Sequence, residues 1–160
     1  GEERGLLGSR AYVEAPIVPL EKTIANVNLE HIGRTDDSDE PGPGQIMITG
    51  HRLSTAADVL SQAAVDAGLR HNPHELKSRQ FFGASDNASF ANVGIPAHTI
   101  CTCFIFPDYH QPGDHWELID YDNMSKVIGA AAEGVRRLAD AESAPEWHDV
   151  RDARRYRDRR

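Results

Sequence analysis

Apolar and polar residues alternate along Ala25–Glu30, which is the period of a half-buried β-strand. Two further short segments, Gln45–Thr49 and Ala97–Phe106, are strongly apolar and predict two more strands, the second of them buried. The strand over Ala25–Glu30 is expected to end at the carboxylate of Glu30.

A second pattern, with apolar residues three and four positions apart, predicts two helices. The first begins at Thr55, its expected N-cap, with Asp58 three residues on, and ends at Gly68. The second extends from Asp122 to about Ala141. Because strands alternate with helices, we expect an α/β fold, with three α/β/α layers around a mixed, largely parallel sheet.

Charge is spread unevenly over the 160 residues. The net charge is −8, but residues 151–160 contain six Arg and two Asp, which leaves −12 for the first 150 residues. This balance argues against nucleic acid as the main partner. We expect one domain over residues 1–142 and a charged, Arg-rich tail over 143–160, solvated rather than a nucleic-acid arm. No apolar run approaches the roughly 20 residues of a membrane span.

The chain has two cysteines, Cys101 and Cys103, two positions apart within a predicted strand. Their side chains should point the same way, and so close a pair rarely forms a disulfide. We therefore interpret them as core thiols, which leaves the compartment undecided.

Two adjacent carboxylates, Glu2 and Glu3, stand before a glycine-rich turn at the start of the chain. Hydrolysis at a metal centre needs such a pair, because one carboxylate binds the metal and the other removes a proton from water. Taken alone, the pair is better explained as solvated charge. We expect Ser9 to cap a short helix, Arg10–Ala15, so that the pair lies at a strand-to-helix junction.

Four further features are candidates for site chemistry. Glu30 ends a predicted strand just before Gly33, a position that is most often only a polar strand terminus. His110 lies in a loop after an apolar strand and is either a metal ligand or a structural histidine. Asp114 either orients the site from behind a ligand or caps the next turn. The segment Ser85–Phe90 precedes Gly-Ile-Pro.

In this order the motifs resemble the zinc aminopeptidase family, which includes bacterial leucyl aminopeptidases, glutamate carboxypeptidase and the transferrin receptor. The family pattern is Glu-Glu-x-Gly-Leu-x-Gly-Ser, then Asn-x-Asp-x-x-Gly, then Ser-Asp-His-x-x-Phe with Gly-Ile-Pro, then Tyr-His-x-x-x-Asp. The resemblance extends from Glu2 to about Arg137.

The resemblance implies a role for each matching residue. Glu2 corresponds to the general base, Glu3 and His110 to ligands of one zinc ion, and Glu30 to a ligand of the second. Four residues fall where the family lines its substrate cleft, namely Ser85, Asp86, Phe90 and Tyr109. Asp114 would support the site from the second layer around the metals.

The chain departs from the family pattern at three points. Glu30 stands where Asp is more frequent, and Asn87 replaces the usual His of the Ser-Asp-His motif. The family also needs a His and a metal-bridging Asp, both upstream of Glu-Glu. We therefore expect the C-terminal part of a catalytic domain, without its N-terminal strands and with zinc partial or absent from a site that holds two ions when complete.

The function that the resemblance implies is hydrolysis of N-terminal amide bonds in peptide or aminoacyl substrates. A hydroxide held by two zinc ions would attack the carbonyl while Glu2 transfers the proton. The alternatives are a non-catalytic peptidase-like binding module and a zinc-dependent glutaminyl cyclase. We further expect self-association through an exposed sheet edge and, because family members are often exported, an extracytoplasmic location.

Overall fold

The computed structural model of this chain describes residues 1–36 and 42–159. The acidic segment Thr35–Gly44, which its composition predicts to be a loop, lies partly outside these residues, including Asp37, Asp39 and Glu40. In the described part of the chain, no helix is both long and apolar enough to cross a membrane.

Four strands of the described residues form one central sheet. They are β1 (Asn26–Leu29), β2 (Gln45–Ile48), β3 (Arg70–His71) and β4 (Ala97–Cys101). Their order is β1-β4-β2-β3. The pairs β1–β4 and β2–β3 are parallel, whereas β2 and β4 are antiparallel. The predicted mixed, largely parallel sheet is therefore confirmed.

Helices cover both faces of this sheet. In chain order they are α1 (Leu7–Glu14), α2 (Thr55–Asp66), α3 (Glu75–Phe81), α4 (Asn87–Ala91), α5 (Tyr121–Ala139) and α6 (Arg154–Arg157). Successive strand side chains point to opposite faces. Ile48 and Ile100 thus pack in the cluster with α2 and α5, while Met47 and Cys101 pack with Phe81 of α3. This is the expected three-layer arrangement.

Several predicted boundaries are wrong. Glu2 begins a short 3-10 helix, Glu2–Arg4. Helix α1 begins at Leu7, because Gly5 and Leu6 both adopt left-handed backbone angles (φ 91° and 61°) and turn the chain early. Ser9 therefore lies inside α1 instead of capping it.

Two further boundaries differ from the expected ones. The N-cap of α2 is Ser54 rather than Thr55. Strand β4 stops at Cys101, well before Phe106. There the Thr102 hydroxyl lies 2.6 Å from the carbonyl oxygen of His31 and 2.5 Å from that of Arg34, and it can donate to one at a time. The chain is thus bound to the turn after β1 instead of continuing the strand.

The C-terminal segment packs onto the fold, so the expectation of a solvated tail is wrong. Trp147, Ala153 and Tyr156 are buried in one cluster with Phe82. The rings of Trp147 and Tyr156 stack with centres 5.1 Å apart, and the indole nitrogen of Trp147 donates to Gly94 O at 2.8 Å. The segment packs onto the fold despite its charge, because its aromatic rings are buried while its described arginines stay exposed to solvent.

A buried arginine connects the two loops at the carboxyl end of β1 and β4. The guanidinium of Arg34 donates to both carboxylate oxygens of Asp36, at 2.9 and 2.6 Å. It also donates to Asp114 at 2.9 Å and lies 3.4 Å from Asp108. These hydrogen bonds, chiefly those to Asp36, raise the pKa of Arg34 although burial opposes them. Because Asp108 and Asp114 flank His110, Arg34 attaches the His110 loop to the rest of the fold.

His98 of β4 is fully buried, and both ring nitrogens have partners. Its Nδ1 lies 2.8 Å from Thr49 O and therefore carries the proton, so Nε2 accepts from the Ser54 hydroxyl at 2.6 Å. Burial lowers the pKa of His98 to about 4, so the ring is neutral at pH 7.

The first prediction concerns His98 and pH. Unfolded histidine binds its proton near pH 6.5, whereas folded His98 binds it only near pH 4. Stability should therefore be lost as the pH falls through this window, by about 2 kcal/mol between pH 7 and pH 5. Urea unfolding at both pH values measures the loss. His98→Asn should show a correspondingly smaller loss, and the exposed His115→Asn the wild-type loss; an unchanged pH dependence in His98→Asn would contradict the assignment.

The second prediction concerns Arg34. Arg34→Met should lower the free energy of unfolding by about 2 kcal/mol or more, because three carboxylates lose their shared cation. The loss stays below that of a fully buried pair, since the carboxylates are 36–46% exposed. Arg34→Lys should restore only part of it, because ammonium cannot make the bidentate pair. The exposed Arg10→Met is the control, and equal urea midpoints for all variants would refute the role.

Candidate active site

The carboxyl ends of β1 and β4 meet at one edge of the sheet because the two strands are parallel. A cavity of about 90 Å³ lies there, and its lining includes Glu2, Glu3, Glu30 and Tyr109. Among the described residues that line this cavity, three are carboxylates and none is Lys or Arg. Such a concentration of negative charge favours a bound cation.

Glu3 and His110 are in direct contact although 107 positions separate them in the sequence. The Glu3 Oε1 atom lies 2.9 Å from His110 Nε2. The two side chains are about half exposed, at 68% and 54% respectively. The ring of His110 also stacks on Tyr109, with centres 3.9 Å apart. This stacking fixes the plane of the imidazole and directs Nε2 at the carboxylate.

Two pKa shifts reflect the same group of acids. Burial raises the pKa of Glu2, the carboxylates of Glu30 and Glu3 raise it further, and only His110 opposes them. Burial likewise raises the pKa of Tyr109, with added repulsion from Glu3, Glu2 and Glu30. Glu2 is therefore a stronger base than an ordinary carboxylate, and the Tyr109 phenol stays protonated at neutral pH.

Glu30 is held by residues of the predicted cleft. The Ser85 hydroxyl donates a short hydrogen bond to Glu30 Oε1. Ser85 itself accepts from the side-chain amide of Asn28 at 2.7 Å and from the backbone N–H of Asp86 at 2.6 Å. The strand β1 and the turn before α4 thus fix one carboxylate oxygen and leave the other free to bind a ligand.

The other predicted cleft residues, Asp86 and Phe90, do not line this cavity, and neither does Ser85. Asp86 accepts a hydrogen bond from Ser9 at 2.6 Å. Phe90 packs against Tyr12, with ring centres 5.7 Å apart. Asn87, which replaces the family's His, is fully buried and bonds Thr99 at 3.0 Å. Asn87, where the chain departs from the family pattern, thus has a structural role in the interior.

Asp114 contacts Arg34 rather than any of the predicted zinc ligands. Its effect on the site therefore passes through the loop of His110. The backbone of that loop is strained at His110, whose φ is 56°, and the turn after β1 is strained at His31, whose φ is 48°. Strained backbone at such turns is typical of functional sites, and the Arg34 contacts supply the restraint that it needs.

Two of the predicted zinc ligands fit one ion. Two donors that bind zinc at about 2.0–2.1 Å with a tetrahedral angle are roughly 3.3 Å apart. The observed 2.9 Å between Glu3 and His110 needs only a few tenths of an ångström of opening. Within residues 1–36 and 42–159, however, no group of three or more His, Cys, Asp or Glu is arranged to hold a metal ion. The described residues fit part of a zinc shell.

The cavity lining also includes residues that were not assigned to the site from the sequence, among them His31, Thr99, Cys101 and Cys103. His31 makes edge contacts with the rings of Phe106 and Tyr109, at 5.5 and 5.1 Å. Both cysteines are buried thiols outside any disulfide, as predicted. The sequence held a signal for their place in the site. Cys101 and Cys103 are two positions apart, so both side chains point to the sheet face that carries Glu30.

Known proteins share the fold of this chain, and a family model matches most of its length. The model of peptidase family M28 matches residues 1–135. The aminopeptidase from Aneurinibacillus sp. strain AM-1 has a similar structure, with a TM-score of 0.66 at 21% identity, over 94% of this chain and 33% of that chain. The Legionella pneumophila LapA aminopeptidase is similar too, with a TM-score of 0.67 at 22% identity, over 89% of this chain and 37% of that chain.

BSAP, a zinc aminopeptidase from Bacillus subtilis, is also similar, with a TM-score of 0.65 at 21% identity, over 94% of this chain and 37% of that chain. The present chain thus spans about a third of the length of these enzymes. A comparison with curated protein sequences finds no match. Because the family model covers most of the chain, the chain belongs to peptidase family M28.

Proposed function

We propose that this chain contributes to the active site of a zinc-dependent exopeptidase of the aminopeptidase type, which hydrolyses the N-terminal amide bond of a peptide. The observation that carries the proposal is the contact of Glu3 with His110 beside Glu2 and Glu30. Membership of family M28 supports it. The proposal applies to the whole protein, since the chain spans about a third of the similar aminopeptidases.

In this proposal Glu3 and His110 hold one zinc ion and Glu30 holds the second. Bound zinc acts as a Lewis acid toward the scissile carbonyl and makes water nucleophilic at neutral pH. The resemblance implies two more ligands, a His and a bridging Asp, which the whole protein would supply. Ser85 keeps one oxygen of Glu30 occupied, so that the other is directed at the metal.

Glu2 is the proposed general base. Its raised pKa, due first to burial, suits a group that takes a proton from water and returns it to the leaving amine. Tyr109 keeps its proton and can donate a hydrogen bond to the substrate carbonyl. Asp86 and Phe90 border the cleft from behind Ser85 and support its shape.

The third prediction tests the base. In a preparation of this protein that hydrolyses an aminoacyl anilide, Glu2→Gln should retain zinc but lower kcat by roughly 10²–10⁴-fold. The amide keeps the shape of the side chain but cannot accept the proton. Zinc content by atomic emission and steady-state kinetics measure the two effects. The exposed Glu14→Gln on α1 is the matched control and should leave both unchanged.

The outcomes of this experiment separate the candidate functions. Near-normal hydrolysis by Glu2→Gln would remove Glu2 from its assigned role. Cyclisation of an N-terminal glutamine peptide without hydrolysis of the anilide would favour the glutaminyl cyclase. Zinc binding without either reaction in the whole protein would favour the non-catalytic module.

The fourth prediction concerns the sheet edge. Strand β1 is a terminal strand of the described sheet, and its last residue, Leu29, is 40% exposed. We propose that this edge pairs with a second copy of the chain. Sedimentation velocity should show a concentration-dependent dimer, which Leu29→Lys weakens by charging the edge. Leu76→Lys, at an exposed position on α3, should leave it intact. A monomer at all concentrations would contradict the proposal.

A further inference from the structure

A second, larger cavity lies away from the predicted zinc ligands. Its volume is about 560 Å³, within the usual range of small-molecule sites. The loop after β2, helix α3 and the C-terminal segment form its walls. The two cavities are separated by α3, because Phe81 lines the acidic cavity and Phe82 lines the larger one.

Four arginines line this cavity against two carboxylates. Arg52 pairs with Glu75 at 2.5 Å, and Arg79 lies 3.5 Å from Asp152. Arg151 and Arg155 form no ion pair with any carboxylate among residues 1–36 and 42–159, so the walls carry an excess of two positive charges. Unpaired guanidinium groups that converge on a cavity present the fork geometry that suits phosphate and carboxylate oxygens.

Part of the wall is aromatic. The rings of Phe82 and Tyr156 meet edge to face with centres 5.4 Å apart, and both residues are almost wholly buried. The guanidinium of Arg155 lies over the Tyr156 ring, 4.5 Å from its centre, and donates to the Tyr156 hydroxyl. These contacts hold Arg155 at the cavity wall, so less rotamer entropy is lost when it binds an anion.

The histidine of this cavity does not add a third unpaired charge. Burial lowers the pKa of His51, while Glu75 opposes the shift. Its Nδ1 lies 3.1 Å from the buried Ser78 hydroxyl, and its Nε2 faces Glu75 at 3.4 Å. The ring therefore contributes hydrogen bonding, and the excess charge comes from Arg151 and Arg155.

We propose that this cavity binds a small organic dianion, a phosphate monoester or a dicarboxylate, whose oxygens pair with Arg151 and Arg155 and whose apolar body lies against Phe82 and Tyr156. The Arg-rich segment then has a specific use. Its aromatic residues pack it onto the fold, and two of its arginines face a cavity that α3 separates from the acidic one. A ligand of this charge is repelled by Glu2, Glu3 and Glu30, which favours the larger cavity.

Calorimetric titration of the chain with phenyl phosphate and with phthalate at pH 8 tests the proposal, since both are dianions that carry one ring. We expect saturable binding of at least one of them, weakened by added NaCl. Binding of only one assigns the ligand to phosphate monoesters or to dicarboxylates. Arg151→Gln and Arg155→Gln should each weaken binding by at least roughly tenfold, the scale of one charge-assisted hydrogen bond.

Arg154→Gln is the matched control. This arginine is exposed in the same segment, lies 3.8 Å from Asp149 and does not line the cavity, so its variant should bind normally. Arg151 and Arg155 are exposed too, and equal melting temperatures would show that the variants fold. Failure of both dianions to bind would overturn the proposal. Equal binding of uncharged benzyl alcohol, or unchanged binding by Arg151→Gln and Arg155→Gln, would overturn it as well.

Discussion

The buried cation of Arg34 is the constraint on which the acidic site depends. It is 5% exposed and lies 4.3 Å from the centre of the Phe106 ring, so its charge is kept in the interior by its carboxylate partners. Two of those partners, Asp108 and Asp114, belong to the loop that carries His110. Without them a half-exposed histidine in a left-handed conformation would not stay beside Glu3, which is 107 positions away in the sequence.

A second consequence is electrostatic. Glu2 has three acidic neighbours, Glu30, Glu3 and Asp86, and all of them raise its pKa. Repulsion among these carboxylates lowers the stability of the fold as long as they face only one another. A divalent cation bound among them replaces this repulsion by attraction. The same repulsion gives Glu2 the basicity that proton transfer requires, so one cluster serves both to bind metal and to accept a proton.

The spacing of apolar residues along the sequence predicted the central strands and the two long helices, because an element buried on one or both faces carries a local pattern of apolar positions. The pairing of Glu3 with His110 was implied by the resemblance to the zinc aminopeptidase family, not by any local pattern. Arg34, His31 and the burial of Tyr156 could not be predicted in this way. Each depends on contacts between segments far apart in the chain, such as Tyr156 with Phe82, and nothing local distinguishes such an arginine or tyrosine from a solvated one.

The most direct measurement is the position of zinc in crystals of this chain soaked with zinc, located by anomalous diffraction at the zinc absorption edge. The geometry predicts a peak at bonding distance from the Glu3 carboxylate and from His110 Nε2, at roughly 2.0–2.2 Å from each. Partial occupancy would agree with an incomplete shell. A zinc ion bound at other histidines, such as His51 and His71, with Glu3 and His110 still in direct contact, would contradict the assignment of the metal centre.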